Sequence, residues 1–515
     1  MSTSSGSDPK PIRRAATNAF QDKAQRAPWE PIVLSLDGGG IKGLSELFIL
    51  LKITERIKEL IVEGLSEGGN IKDDELFAFL RDPILLPCYF FDFMVGTSTG
   101  GLIAVMLGRL RMSVPDAIKA YWCLGNDIFW PRPIIGRFSS TKLRQAILRV
   151  IEHNCGCHER EEECHDMEPL GQYDYAEVND IDYHRNPSLQ NFTCKVALVA
   201  QRKEVGSQNV HLFRSYNFTR RPDRGPTQRN PETIGENHPR VWEACRATSA
   251  APLNFRKMAI GTDKFIDGGA GNNNPCDLAW NEAMLMLTPI NQEPDTEPNN
   301  RTPAAMVSLG CGEKRKHTLF GNQFSLSYVR KAWLLGKSKI TDAEPVHIHM
   351  RDRVRENGSD YFRFSVKQTR GDHGNNGLSG IELADCKRES QRPWPGSFTQ
   401  PQAPVESTGL PEWYTQLQTE ASQQEEERRK GGFKPEKYWY TTFDTIFTRT
   451  EQYCTDRDVR KEIDKCANLL LTYARERQAN DPERWKCLVS HPHPDHPSYL
   501  ESTRRPNSNN EENGW

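Results

Sequence analysis

The sequence predicts an α/β fold in which a central, mostly parallel sheet is covered by helices on both faces. Short apolar runs typical of buried strands alternate along the chain with amphipathic helical segments. Strands that are buried on both faces read as nearly continuous apolar runs, as PIVLSL (31–36) does. In addition, three glycine-rich loops each join a predicted strand to a predicted helix.

The elements follow in this order. After the strand at 31–36, apolar residues spaced three and four apart predict a helix over 44–62. The aromatic-rich segment YFFDFMV (89–95) predicts a second strand, and a helix follows at 102–110. His347 and His349 alternate as they would along a further strand. The remaining predicted strands are 195–200, 210–213, 264–266 and 305–309, and the remaining helices are 277–287 and 459–474.

Composition and charge exclude several classes of protein. The 515 residues include 67 Lys and Arg against 69 Asp and Glu, so no basic excess points to nucleic acid. The N-terminal MSTSSGSDPK lacks the apolar core of a signal peptide, and no run of about 18 apolar residues predicts a membrane span. The 13 cysteines are irregularly spaced. We therefore expect a cytoplasmic protein whose cysteines are mostly reduced.

The first glycine-rich loop is DGGGIKG (37–43). Consecutive glycines let backbone N–H groups approach a ligand closely, and the following helix N-terminus adds partial positive charge. The loop therefore predicts a cradle for a phosphate or for a developing oxyanion. It does not fit the Walker A pattern, and a glycine turn that only packs strand on helix remains the alternative.

The second loop, GTSTG (96–100), has the G-x-S-x-G pattern between a strand and a helix. That context is typical of a nucleophile elbow, which would present the Ser98 hydroxyl. The alternative is a small-residue turn that caps a helix. A serine nucleophile needs a base, yet none of the 13 histidines lies in a comparable strand-end motif. The base is therefore open, and a residue other than histidine is an option.

The third loop, DGGAGNNNP (267–275), places Asp267 at the end of a predicted strand. A carboxylate can act as the base if burial raises its pKa. An Asx/Gly turn with a proline at the helix start is the alternative.

These three loops, in this order, resemble the patatin-like phospholipase family. CRATSAAP (245–252) and SLGCG (308–312) resemble further family blocks, and the pattern is most similar to intracellular fungal members. The resemblance implies a three-layer patatin-like fold and a Ser98–Asp267 dyad without histidine. It also implies an oxyanion hole formed by Gly38, Gly39 and Gly40. Lys42 stands where the family usually has arginine, so loop support would keep its charge but lose the planar fork.

The implied activity is that of a serine lipid acyl hydrolase, which cleaves carboxylic esters of phospholipids or acylglycerols through an acyl-enzyme. It implies no cofactor and no metal. The expected partner is a lipid substrate, compatible with peripheral attachment to a membrane or lipid droplet. The alternatives are an α/β-hydrolase esterase with a Ser-Asp-His triad and a non-catalytic lipid-binding scaffold.

Because Asp37, Ser98 and Asp267 must meet in one site, one large domain spans them. The predicted organisation is a polar leader (1–30), a patatin-like catalytic domain (31–390), a polar linker or insertion (391–436), a C-terminal helical segment packing on the catalytic domain (437–480) and a disordered tail (481–515). Cys155, Cys157 and Cys164 lie in a Cys/His-rich insertion, where a zinc site competes with a solvated segment. FWPRPIIGRF (129–138) could form a lid or an interfacial anchor, or a turn packed on the core.

Overall fold

The computed structural model describes residues 30–66, 85–128, 138–154, 194–204, 207–215, 239–252, 254–287, 302–312, 343–367, 378, 381, 440–482 and 485. The predicted leader, the Cys/His-rich insertion, the linker at 391–436 and nearly all of the predicted tail and of segment 129–138 lie outside these residues.

One mixed sheet of eight strands organises the described chain. The strands are β1 (Ile32–Leu36), β2 (Phe93–Thr97), β3 (Lys195–Glu204), β4 (Ser207–Arg214), β5 (Met258–Ile260), β6 (Asp263–Asp267), β7 (Ala305–Gly310) and β8 (Asp360–Ser365). Strands β3, β2, β1, β7 and β8 are parallel neighbours in that order. Strands β4 and β6 pair antiparallel with β3, and β5 pairs antiparallel with β6.

Helices follow most of the strands. They are α1 (Leu44–Ser66), α2 (Thr99–Ala104), α3 (Val114–Ile128), α4 (Ser140–Asn154), α5 (Val241–Thr248), α6 (Cys276–Leu287), α7 (Glu344–Glu356), α8 (Tyr440–Thr455) and α9 (Arg457–Asn480). A π-helical turn, Val105–Arg109, continues α2. Within the described ranges, no helix is both long and apolar enough to cross a membrane.

Alternate residues of the central strands pack into two separate hydrophobic cores, one on each face of the sheet. Val33 and Val95 pack in a cluster with residues of α6 and α7. Leu34 and Met94 belong to the larger cluster on the opposite face, with residues of α1, α3, α8 and α9. Because successive strand residues point to opposite faces, the sheet lies between two helical layers. The predicted three-layer α/β fold is confirmed.

The register of β3 brings two distant strands together. Thr97, the last residue of β2, pairs with Val199, and Asp267, the last residue of β6, pairs with Ala200. Both Val199 and Ala200 pair with β4 on their other side. Strands β2 and β6 therefore lie along the same edge of β3 and run toward each other, so their C-terminal ends meet.

The C-terminal helices α8 and α9 pack against α1 and α3. Phe443 stacks on Trp122 with ring centroids 4.4 Å apart, and Phe447 meets Phe48 edge-on at 4.9 Å. The predicted helix 459–474 lies within α9, and α8 lies within the predicted helical segment 437–480, although no separate helix was predicted there.

Two local predictions are corrected. His347 and His349 lie in α7, not in a strand, because buried Met350 and Val354 repeat at a spacing of four and Pro345 lies in the first turn of the helix. The second strand starts at Phe93 rather than Tyr89, since Pro87–Tyr89 forms a 3-10 turn.

Candidate active site

Ser98 occupies a sharp turn between β2 and α2. Its backbone has φ 56° and ψ −121°, a conformation that L-residues rarely adopt. The turn also requires Gly100, because a Cβ at that position would lie 2.5 Å from the carbonyl oxygens of Leu36 and Asp37. The sequence-predicted elbow is thus a tight, strained turn packed directly on the first glycine-rich loop.

The side chains of Ser98 and Asp267 are in direct contact. The Ser98 hydroxyl donates a hydrogen bond of 2.6 Å to Oδ2 of Asp267. The other carboxylate oxygen, Oδ1, accepts the Gly269 N–H at 2.7 Å, which fixes the rotation of the carboxylate. Asp267 is only 5% exposed. The two residues predicted from separate loops therefore form one pair, in which the carboxylate is buried and the serine is partly exposed.

Thr248 is a site residue that the sequence analysis did not single out. Its hydroxyl accepts the Ser98 N–H at 2.8 Å and donates to the Val199 carbonyl at 2.6 Å. Thr248 ends α5 and lies within CRATSAAP, so that motif was the available signal. The hydroxyl ties the elbow backbone to the strand that aligns β2 with β6.

The first glycine-rich loop crosses the site beside Ser98. The Gly38 N–H donates to the Asn273 carbonyl at 2.9 Å, and the Gly39 N–H donates to Thr99 Oγ1 at 3.1 Å. Among the described residues, no acceptor pairs with the N–H of Gly40. Two of the three predicted oxyanion donors therefore hold the loop in place, and Gly40 keeps an uncommitted N–H.

Lys42, predicted to support this loop, is buried. Its side chain is 3% exposed, and burial lowers the pKa of its ammonium group. The backbone nearby is held by Tyr121, whose hydroxyl donates to the Gly40 carbonyl, and by Ser45, whose hydroxyl donates to the Lys42 carbonyl at 2.8 Å.

A buried carboxyl group supports the start of the loop. Glu46 Oε1 accepts the Asp37 N–H at 2.9 Å, and the Glu46 side chain is fully buried. Burial, reinforced by the Asp37 charge, raises the pKa of Glu46 well above its usual range.

The histidine side chains that the structure describes are engaged away from Ser98. His211 pairs with Ala200 across β3 from Asp267, but its ring packs between Phe213 and Phe265. His347 Nδ1 lies 3.1 Å from the Tyr361 hydroxyl. His349 Nε2 lies 3.5 Å from a carboxylate oxygen of Asp277.

No group of three or more metal-ligating side chains occurs in the part of the chain that the structure describes. The Cys155, Cys157 and Cys164 insertion lies outside that part. The described cysteines with placed side chains are free and buried, and they are Cys88, Cys194, Cys245, Cys276, Cys311, Cys454 and Cys466.

Residues 34–280 match the family model described as patatin-like phospholipase, and this range contains Ser98, Asp267 and the glycine-rich loops. The chain carries a patatin-like phospholipase domain. The family resemblance predicted from the motifs is confirmed. Strands β7 and β8 and helices α7 to α9 lie beyond the matched range of the patatin-like domain.

Several curated proteins are similar to this chain. Mouse calcium-independent phospholipase A2-gamma is 26% identical over 334 residues, covering 65% of this chain and 34% of that protein. Phospholipase A I of Arabidopsis thaliana is 24% identical, covering 56% of this chain and 21% of its own length. Patatin-like phospholipase 1 of Plasmodium falciparum is 24% identical, covering 66% of this chain and 45% of that protein. The chain thus spans about a third of the length of the mammalian relatives it matches.

Proposed function

We propose that this protein is a serine lipid acyl hydrolase that cleaves carboxylic esters of phospholipids or acylglycerols. The observation that carries the proposal is the 2.6 Å hydrogen bond from the Ser98 hydroxyl to the Asp267 carboxylate, in a strained strand–turn–helix elbow. Relatives named as phospholipases support the lipid substrate class.

The proposed reaction begins with proton transfer from Ser98 to Oδ2 of Asp267. The released Ser98 oxygen attacks the ester carbonyl, and the carbonyl oxygen becomes an oxyanion. The Gly40 N–H is the donor of the Gly38–Gly40 loop that stabilises this charge, because the Gly38 and Gly39 N–H groups already donate within the loop's supports. A donor of this kind contributes roughly 3–4 kcal/mol to the transition state.

The second half of the reaction restores the enzyme. Asp267 returns its proton to the leaving alcohol as the tetrahedral intermediate collapses, leaving the acyl group on Ser98. Water then attacks the acyl-enzyme, Asp267 accepts its proton, and the free fatty acid departs as the hydroxyl of Ser98 is reprotonated. No step requires a metal ion, so we expect hydrolysis to persist in EDTA.

The geometry favours this dyad over a Ser-Asp-His triad. The Ser98 hydroxyl donates directly to the carboxylate, without an imidazole between them. Oδ1 is held by the Gly269 N–H, which leaves Oδ2 aimed at Ser98.

A lipid substrate lies in a membrane or at a lipid-droplet surface. We therefore propose a cytoplasmic protein that associates with such a surface peripherally.

The test combines active-site labelling with two aspartate variants. A fluorophosphonate probe should label Ser98 in the wild type, and Ser98→Ala should abolish labelling and hydrolysis. Asp267→Asn should lower kcat by about 10²–10⁴-fold, because a positioned base contributes that much. Asp263→Asn is the matched control, since Asp263 lies at the other end of β6 and pairs with Arg202.

The control variant should keep its activity. Full hydrolysis by Asp267→Asn would refute the dyad. Absence of any ester hydrolysis by folded wild-type protein, together with an unlabelled Ser98, would instead favour the non-catalytic scaffold.

A further inference from the structure

A buried ion pair lies at the first residue of the glycine-rich loop. Asp37 follows β1 directly, and its carboxylate binds Arg363 of β8 through two parallel hydrogen bonds. The Nη1–Oδ1 distance is 3.0 Å and the Nη2–Oδ2 distance is 2.6 Å. The Asp37 and Arg363 side chains are only 3% and 7% exposed.

Arg363 reaches Asp37 across an intervening strand. In the sheet, β7 lies between β1 and β8, and Ser308 of β7 pairs with Arg363. The guanidinium donates to the Ser308 hydroxyl at 2.7 Å on its way. Gly310 leaves the necessary space, because a Cβ there would lie 2.5 Å from Nη2 of Arg363. The SLGCG block thus provides both a support and a passage for the arginine.

The remaining groups of Asp37 are also engaged. Its N–H lies 3.1 Å from the Leu309 carbonyl and 2.9 Å from Glu46 Oε1. The Arg363 guanidinium thus places a positive charge directly against the carboxylate of the residue that precedes Gly38.

We propose that Arg363 is a positioning residue, which holds Asp37 and, through it, the Gly38–Gly40 loop in the geometry that stabilises the oxyanion. The inference rests on the proposed hydrolase function. A planar, two-donor fork is required, because a lysine ammonium can balance the charge but cannot fix both carboxylate oxygens at once. Arg363 lies outside the range 34–280 that the family model matches.

Arg363→Lys tests the proposal against a matched control, Arg214→Lys. Arg214 of β4 makes an equally buried, two-pronged pair with Glu282 of α6, with side chains 9% and 4% exposed. For each variant we would measure thermal unfolding, kcat and KM on p-nitrophenyl butyrate, and hydrogen–deuterium exchange of the peptide spanning 37–43.

We expect Arg363→Lys to lower kcat about 10²-fold with KM within about threefold, since transition-state stabilisation is lost while substrate binding is kept. Exchange in the 37–43 peptide should become faster. Arg214→Lys should lower thermal stability without changing kcat or exchange in that peptide. Should Arg363→Lys fail to fold, the neutral pair Asp37→Asn/Arg363→Gln leaves no unpaired buried charge and should show the same loss of kcat.

A kcat of Arg363→Lys within twofold of wild type would overturn the proposal, as would an equal loss of kcat in Arg214→Lys. The exchange measurement separates this inference from the proposed function. If wild type hydrolyses no ester, the proposed function fails. Faster exchange of the 37–43 peptide in Arg363→Lys, but not in Arg214→Lys, would still support the positioning role. Unchanged exchange in Arg363→Lys would overturn it.

Discussion

Buried His211 makes the stability of the fold sensitive to acid. The His211 side chain is 3% exposed, and its ring centroid lies 4.4 Å from that of Phe213. The pKa of His211 is lowered to about 3, mainly by burial and then by the positive charges of Arg214 and Arg202. An unfolded histidine titrates near 6.5. On acidification the unfolded chain therefore binds this proton first, and stability is lost as pH falls from about 6.5 toward 3.

The size of the effect follows from the two pKa values. At pH 5 the unfolded imidazole is protonated and the folded one is neutral. Since this pH lies roughly 1.5 units below the unfolded pKa, His211 lowers the free energy of unfolding by about 2 kcal/mol there. At pH 7.5 the contribution is close to zero. Between pH 7.5 and 5.0, the free energy of unfolding measured in urea should thus fall by about 2 kcal/mol more in wild type than in His211→Gln.

The control is His349→Gln, because the His349 side chain is 62% exposed and lies on α7. This variant should retain the wild-type dependence on pH. Equal losses of stability between pH 7.5 and 5.0 in wild type and His211→Gln would refute the reasoning.

Three further predictions concern the elbow. Ser98→Gly should be more stable than Ser98→Ala by about 1 kcal/mol in urea unfolding. Glycine adopts the positive φ without strain, although its more flexible unfolded state offsets part of the gain. An equally stable Ser98→Ala would mean that the turn is unstrained. Thr248→Val should destabilise by roughly 1–3 kcal/mol and slow fluorophosphonate labelling, since the Ser98 N–H loses its acceptor; labelling at the wild-type rate would argue against a positioning role. Gly100→Ala should abolish labelling, because its Cβ would meet backbone oxygens at 2.5 Å, and a labelled, stable variant would contradict this close packing.

Much of the site could be predicted because its parts are short sequence motifs. A strand followed by GTSTG specifies the elbow locally, and Asp267 is marked by the glycines that follow it. The fold class was predictable for a similar reason, since β1 and β7 are buried on both faces and read as continuous apolar runs. These signals depend on neighbours within a few residues.

The residues that could not be predicted act over long sequence distances. Arg363 is separated from Asp37 by 326 residues, and the guanidinium could have paired with any buried carboxylate. Thr248 depends on the β3 register, which no local pattern encodes. The strand predicted around His347 failed because alternation over three residues was too short to outweigh the helical repeat of Met350 and Val354.

The meeting of β2 and β6 along one edge of β3 has a consequence for how the protein acquires activity. The contact between Ser98 and Asp267 spans 169 residues and forms only when β6 docks antiparallel beside β3. Asp267 is also synthesised 169 residues after Ser98. A nascent chain that has not yet extended past β6 therefore holds a serine without its proposed base, and catalytic competence should appear only once β6 has docked beside β3.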